Sequence, residues 1–168
     1  MTLALSPPST SRANRRPHRR PPVTIATLLD IAAGLAAAID IEPPPSEGPG
    51  RSSVRLLATD AYEAWLLAWP PGSSIEPHDH GDAHGAFVVV AGEVLETRWR
   101  DARRHRRLLG AGDSSVVRVG AVHDVAAAGA DAALSLHVYS PPLQTMRFYD
   151  PEGRRVTAVE TVEGSPRG

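Results

Sequence analysis

The chain has 168 residues, a length typical of one domain that buries about two-thirds of the surface exposed by its unfolded form. It has no cysteine, which excludes disulfides, thiolate metal ligands and cysteine nucleophiles. All 18 basic residues are arginine, so Schiff-base chemistry on a lysine is excluded as well. No apolar run approaches the roughly 18 residues of a membrane span, and we expect a soluble, cytoplasmic protein without a membrane partner.

The net charge of −1 conceals an uneven distribution of charge along the chain. Five of the 18 arginines lie before position 21, whereas all 19 acidic residues follow it. The body of the protein therefore has 13 basic residues against 19 acidic ones. Because an acidic body is poorly suited to holding nucleic acid, we expect no nucleic-acid partner.

Two segments with different patterns precede the main body. Residues 1–22 combine Pro, Ser and Arg with few large apolar side chains, which predicts a disordered tail. In residues 24–40 the apolar side chains recur near a 3.6-residue period, which predicts an amphipathic helix that ends before the prolines at 43–45.

The remainder of the chain has the pattern of an antiparallel β-protein. Short runs rich in β-branched and aromatic residues are separated by Gly, Pro and Asp, which is typical of a barrel or sandwich. The predicted strands are residues 54–58, 62–69, 86–99, 114–119, 122–126, 132–139 and 156–162. The arginine-rich residues 103–107 are predicted to be a solvated hairpin tip, with nucleic-acid contact as the minor alternative. We expect one domain over residues 23–164, with its barrel at about residues 52–163.

Three histidines are spaced as metal ligands would be on such a barrel. His78 and His80 are two residues apart, so in an extended chain their imidazoles point to one face and Asp79 to the other. His123 can join them only if a later strand runs beside the first. The sequence therefore predicts a metal site with three nitrogen donors, and open positions opposite them would admit substrates.

A second group of polar residues lies on the predicted strand 132–139. Ser135, His137 and Tyr139 occupy alternate positions and therefore share one face of the strand. A hydroxyl, an imidazole and a phenol at this spacing can form a hydrogen-bonded chain that ends near the metal, because buried polar groups need such partners. A polar strand face turned to solvent is the alternative interpretation, which the nearby histidines disfavour.

These motifs resemble those of a known family. Residues 72–92 and 112–123 fit the two motifs of the cupin superfamily. Between about residues 55 and 150 the chain resembles the cysteine dioxygenase family, especially its bacterial members. The resemblance rests on Trp69-Pro70-Pro71-Gly72, His78-Asp79-His80-Gly81, Gly92-Glu93 and residues 136–142. It implies an all-β fold, a cupin-type antiparallel β-barrel of jelly-roll type with an N-terminal amphipathic helix.

The resemblance also implies an activity. Members of the family hold Fe(II) and oxidise a small thiol with O₂, so the expected reaction converts L-cysteine to cysteine sulfinate. His78, His80 and His123 would hold the iron. The partners would be the thiol and O₂, and we expect a monomer. The implied catalytic residues lie on one strand and are Ser135, His137 and Tyr139.

The carboxylate of the substrate requires a fixed cation, which a guanidinium group provides with two parallel hydrogen bonds. By resemblance, Arg55 occupies the position from which cysteine-specific members bind this carboxylate. Arg147 is the rival, since dioxygenases of 3-mercaptopropionate draw their arginine from that later region. We favour cysteine. Trp69 is a core aromatic that could also form a wall of the pocket.

Three positions depart from the family pattern. Gly85 stands where cupins usually have a glutamate ligand, and where animal members have the cysteine that crosslinks to the active-site tyrosine, so Tyr139 is expected to work unmodified. Ser53 replaces a tyrosine that commonly precedes the substrate arginine by two residues. His84 is expected at the rim of the site rather than as a ligand.

Two other classes of function stay open for this sequence. One is a non-catalytic metal-binding cupin, and the other is a zinc-dependent isomerase.

Overall fold

The computed structural model describes residues 23–39, 50–101 and 103–162. Within these ranges one helix is followed by eleven strands. The elements are α1 (Ile25–Ala38), β1 (Ser52–Ala58), β2 (Glu63–Trp69), β3 (Ser74–Asp79), β4 (His84–Ala91), β5 (Glu93–Arg100), β6 (Arg103–Gly110), β7 (Ser114–Val117), β8 (His123–Ala127), β9 (Ala133–Ser140), β10 (Thr145–Tyr149) and β11 (Val156–Thr161). The predicted tail, residues 1–22, lies outside the described residues.

Helix α1 begins after Thr24, whose hydroxyl oxygen accepts a hydrogen bond from the backbone N–H of Thr27 at 3.2 Å. Leu28 and Ala32, one turn apart, are fully buried against the outer face of β4 and β9. The N-terminal amphipathic helix is thus confirmed, although it ends at Ala38 and the prolines expected to end it lie outside the described residues. No helix in the described part of the chain has both the length and the hydropathy needed to cross a lipid bilayer.

The strands form two sheets. One has five strands in the order β1-β2-β9-β4-β7, and the other has six in the order β11-β10-β3-β8-β5-β6. Every pairing between the described strands is antiparallel, and many neighbours within a sheet are far apart in the chain. This strand order is that of a jelly roll, which confirms the predicted cupin-type fold.

The main hydrophobic core lies between the two sheets. Trp69 and Phe87 enter it from the five-stranded sheet, and Leu109 and Val125 enter it from the six-stranded sheet. All four side chains are at most 1% exposed, and burial of each large one contributes about 1.5–3 kcal/mol to folding. The core therefore holds rigid the strands on which the polar site is built.

The structure corrects three expectations about strands. Residues 86–99 form two strands, because Gly92 turns the chain with a φ of 68° and a side chain there would meet the backbone of Ala133. Residues 103–107 belong to the exposed edge strand β6, and the turn before it contains Asp101, whose φ is 51°. The sequence pattern does not predict strands β3 and β10, since both mix polar with apolar residues.

Candidate metal centre

The three predicted metal ligands come together on the inner face of the six-stranded sheet. His78 lies in β3 directly opposite His123, the first residue of β8, and His80 follows the end of β3. One nitrogen from each imidazole lies within 4.8 Å of the other two, and Nε2 of His80 is 3.3 Å from Nε2 of His123. Nitrogens that bind one ion at about 2.1 Å each are roughly 3 Å apart, so the spacing suits a shared metal.

The three imidazoles are neutral at physiological pH. Each is at most 3% exposed. Burial is the main cause that lowers the pKa of His78 to about 4 and those of His80 and His123 well below 6.5. Neutral imidazoles keep a lone pair, which a metal ion requires of its ligands.

Hydrogen bonds decide which nitrogen of His78 and of His123 faces the centre. Nδ1 of His78 donates to the backbone carbonyl of Glu76 at 2.8 Å, and Nδ1 of His123 donates to Oε1 of Glu96 at 3.0 Å. Both therefore present an unprotonated Nε2 to the interior. Nδ1 of His80 is buried without a hydrogen-bond partner among the described residues. The lone pairs of His78 and His123 thus converge on the interior, and Nε2 of His80 lies close to them, so the donor set fits a metal.

The carboxylate of Glu96 was missed by sequence reasoning. It is 1% exposed, its Oε2 accepts a hydrogen bond from the hydroxyl of Ser115 at 2.6 Å, and Nε of Arg98 lies 3.0 Å from Oε1. A signal was available in the sequence, because Glu96 occupies the same strand parity as the apolar Val94 and is therefore an acid at an inward-facing position. The carboxylate of Glu96 fixes the orientation of the His123 ring through the hydrogen bond between them.

A cavity of about 160 Å³ opens beside His78 and His123. Its walls are largely apolar and include Trp65 and Trp69, and the phenol of Tyr139 lines it as well. A space of this size and lining suits a small molecule whose polar groups meet the histidines and the phenol.

The predicted polar chain on β9 is present beside this cavity, and Trp69 extends it. The indole N–H of Trp69 donates to the hydroxyl of Ser135 at 2.7 Å, which is 2.8 Å from Nε2 of His137. Nδ1 of His137 lies 3.2 Å from the hydroxyl of Tyr139. Burial lowers the pKa of His137 to about 3 and raises the pKa of Tyr139. The imidazole is therefore neutral, and the phenol keeps its proton.

The three relevant arginines lie in different places. Arg51, which sequence reasoning missed, lines the cavity. Arg55 has its guanidinium 3.8 Å from Glu63 and above the ring of Trp65, and it is not among the residues that line the cavity. Arg147 lies 3.3 Å from Asp79, whose carboxylate points away from the two neighbouring histidines. No motif marks Arg51 in the sequence, because it precedes the first strand and reaches the cavity only through the fold.

Gly85 is packed between two residues of the site. A side chain on it would place Cβ 3.0 Å from Nδ1 of His80 and 3.2 Å from the ring of Tyr139. The rings of His80 and Tyr139 pack edge to face at 4.8 Å between centroids. The glycine thus leaves room for this contact. His84 does not belong to the group of three converging histidines, as expected. Its Nδ1 instead accepts a hydrogen bond of 3.2 Å from the backbone N–H of Val119.

A family model described as cysteine dioxygenase type I matches residues 49–152. The chain belongs to this family. Cysteine dioxygenase type 1 of Danio rerio is 27% identical over 100 residues, which are 53% of this chain and 50% of that protein. The counterpart in Bos taurus is 26% identical over 99 residues. The chain thus spans about half the length of these curated relatives. The resemblance noted in the sequence is confirmed at the level of the family.

Solved structures share the fold. A conserved protein with a double-stranded β-helix domain from Klebsiella pneumoniae superposes with a TM-score of 0.55 at 21% identity, covering 64% of this chain and 90% of that one. The TT1209 protein of Thermus thermophilus gives 0.53 at 21% identity, covering 62% of this chain and 99% of that one. At this identity the likeness establishes the fold alone.

Proposed function

We propose that the protein is an Fe(II)-dependent thiol dioxygenase that converts L-cysteine to cysteine sulfinate. The observation that carries this proposal is the convergence of three buried, neutral imidazoles beside a cavity of about 160 Å³. Bound iron would supply the redox chemistry with O₂ that no side chain of this chain can provide. Because the three ligands are uncharged, they leave the double charge of Fe(II) in place, which favours a thiolate over a thiol at the site.

The proposed reaction requires no further reductant. A thiol and one molecule of O₂ give a sulfinic acid, with both oxygen atoms added to sulfur. The sulfur is oxidised by four electrons, and O₂ accepts all four. A site that holds only the thiol, the metal and O₂ is therefore sufficient, in agreement with the small size of the cavity.

Tyr139 is proposed as the catalytic residue closest to the reacting atoms. Its phenol lines the cavity and keeps its proton, so it can donate a hydrogen bond to an oxygen atom of the substrates. His137 and Ser135 are proposed to hold the phenol in place, and the indole of Trp69 fixes Ser135 in turn. This chain of contacts supports a preorganised donor rather than a mobile one.

Arg51 is proposed to bind the carboxylate of the substrate. It lines the cavity, whereas Arg55, the position expected from the family pattern, stands beside Glu63. Arg55 stays a second possibility, because it projects to the same side of β1 as Ser53, which lines the cavity. Arg147 is the least favoured, since its guanidinium is bound to Asp79 on the opposite face.

One observation favours 3-mercaptopropionate as the alternative substrate. No acidic side chain is among the described residues that line the cavity, so the ammonium group of cysteine has no carboxylate partner there. The lining residue Ser53 also stands where the family pattern commonly has a tyrosine. Because 3-mercaptopropionate has no amine, it would place no ammonium group in the pocket without a carboxylate partner.

The proposal is tested by O₂ consumption of the iron-loaded protein with L-cysteine, 3-mercaptopropionate and cysteamine. We expect the highest kcat/KM for cysteine, and a raised KM for the two acids but not for cysteamine in Arg51→Gln, because cysteamine has no carboxylate. Arg55→Gln is the matched variant, because Arg55 is the second candidate for binding the carboxylate of the substrate. Absence of thiol-dependent O₂ uptake would favour a non-catalytic metal-binding cupin, and anaerobic activity with zinc would favour an isomerase.

A further inference from the structure

A second and larger concavity lies on the outer face of the six-stranded sheet. Its volume is about 570 Å³, within the range of sites for small organic ligands. Thr97 of β5 and Asp124 of β8 form its floor, Arg104 and Arg106 of β6 form one side, and Tyr149 of β10 lies at the other. We call it the outer groove.

Strand register separates the outer groove from the metal centre. On β5, Glu96 points inward to His123, so the next residue, Thr97, points outward. Thr97 pairs with Arg106 on one side and with Asp124 on the other. The groove and the metal centre are therefore opposite faces of the same strands, and a molecule in the groove would not occupy the thiol site.

The outer groove is lined by three arginines from two parts of the chain. These are Arg104, Arg106 and Arg155. None of them forms an ion pair within 4.0 Å with a carboxylate of the described residues. Arg104 is held in place by a hydrogen bond of 2.7 Å from its Nη2 to the backbone carbonyl of Pro151, which leaves its other donors available.

The acidic residues of the groove offset part of this charge, since Arg104 and Arg106 interact electrostatically with Asp124, and Arg155 with Asp150. Asp124 is hydrogen-bonded to Thr97, and Asp150 accepts a hydrogen bond of 2.8 Å from the backbone of Arg154. The third carboxylate, that of Glu76, lies on β3, which two strands separate from β6. Arg104 and Arg106 nevertheless form no ion pair within 4.0 Å in the described part of the chain, so their guanidinium groups can still bind an anion from the β6 side.

We propose that the outer groove binds a small organic anion through phosphate or carboxylate groups. The guanidinium fork binds either group with two parallel hydrogen bonds. Trp99, with Arg104 5.9 Å above its ring, and Tyr149 provide the apolar walls that the carbon skeleton of such a ligand needs. The proposal does not depend on the thiol chemistry of the inner site.

The test is calorimetric titration of the iron-loaded, full-length protein with AMP, which carries a phosphate, and with succinate, which carries carboxylates. We expect at least one of them to bind, and Arg104→Gln/Arg106→Gln to weaken that binding about tenfold or more. The probe that binds identifies the recognised group. Arg155→Gln, from a different part of the chain, is expected to weaken binding of the same probe.

The matched control is Arg103→Gln/Arg107→Gln. This variant removes the same charge from the same strand, but from the face that points away from the groove. It should keep the affinity of the wild type, and circular dichroism with thermal unfolding will show that each variant is folded. The proposal is overturned if neither probe binds at millimolar concentration, or if both double variants lose affinity equally, which would indicate general attraction to an arginine-rich strand.

Discussion

Oε1 of Glu96 lies 3.0 Å from Nδ1 of His123, so a buried carboxylate orients one of the three converging imidazoles. The same carboxylate receives a hydrogen bond from Ser115 and stands beside Arg98, and these two contacts fix its position. A carboxylate behind a histidine ligand sets the tautomer and makes the metal-facing nitrogen more basic. The strength of the metal site should therefore depend on a residue that does not touch the metal.

Glu96→Gln is expected to weaken Fe(II) binding about 10–100-fold, because the amide keeps the shape of the carboxylate but not its charge. Anaerobic titration of the metal-free protein with Fe(II) measures the effect. Glu93→Gln is the control, since Glu93 is an exposed carboxylate at the start of the same strand. Equal affinities of Glu96→Gln and the wild type would show that the carboxylate does not support the ligand.

Tyr139→Phe is expected to lower kcat for thiol oxidation about a hundredfold while the iron content stays the same. The reason is that the phenol lines the cavity and keeps its proton, whereas it belongs to none of the converging ligands. Oxygen-electrode rates and metal analysis of the same samples separate the two effects. Tyr62→Phe, which removes a phenol outside the cavity, should retain normal turnover.

Stability of the metal-free protein should fall as the pH is lowered. Burial lowers the pKa of His137 to about 3, whereas the unfolded chain has a value near 6.5. Because the folded pKa is the lower one, protons bind first to the unfolded chain, and the free energy of unfolding falls from about pH 6.5 downward to about pH 3. From about pH 7.5 to about pH 5.5, His137 accounts for a loss of about 1.4 kcal/mol.

Chemical denaturation of the wild type and of His137→Gln at these two pH values isolates this contribution. The buried imidazoles of His78, His80 and His123 add to the slope in both proteins, so the difference between the slopes belongs to His137. The variant should lose about 1.4 kcal/mol less than the wild type. Identical pH dependence in the two proteins would mean that His137 is not held neutral in the folded state.

Gly85→Ala is expected to weaken the metal site, because the added methyl group would lie 3.0 Å from Nδ1 of His80. The overpacking should cost about 1–3 kcal/mol of stability and displace the imidazole. Thermal unfolding and Fe(II) titration measure both effects. Gly110→Ala is the control, since a side chain there would meet nothing within 4 Å. Unchanged iron affinity in Gly85→Ala would contradict the tight packing of His80.

The shared orientation of His78 and His80 could be predicted because it depends on local geometry. Two histidines at alternate positions face the same way on any strand, and His123 was expected to join them only if a later strand ran beside the first. The pairing of His78 with His123 in the structure agrees with that expectation. The chain of Ser135, His137 and Tyr139 follows from the same alternation.

The remaining parts of the site depend on tertiary contacts that a single sequence does not reveal. Arg51 precedes the first strand and reaches the cavity only because of how β1 joins the sheet. The exposed arginines of β6 lack apolar alternation, so the sequence indicates a turn there, whereas pairing with β5 makes it a strand. An edge strand rich in charge is a common protection against sheet-to-sheet association.

The most direct test of the central claim is the origin of the oxygen atoms in the product. The iron-loaded protein is given L-cysteine under ¹⁸O₂ in ordinary water, and the sulfinate is analysed by mass spectrometry. A thiol dioxygenase places two labelled oxygen atoms on the sulfur of each product molecule. Sulfinate with one labelled oxygen or none, or no sulfinate at all, would contradict the proposed function.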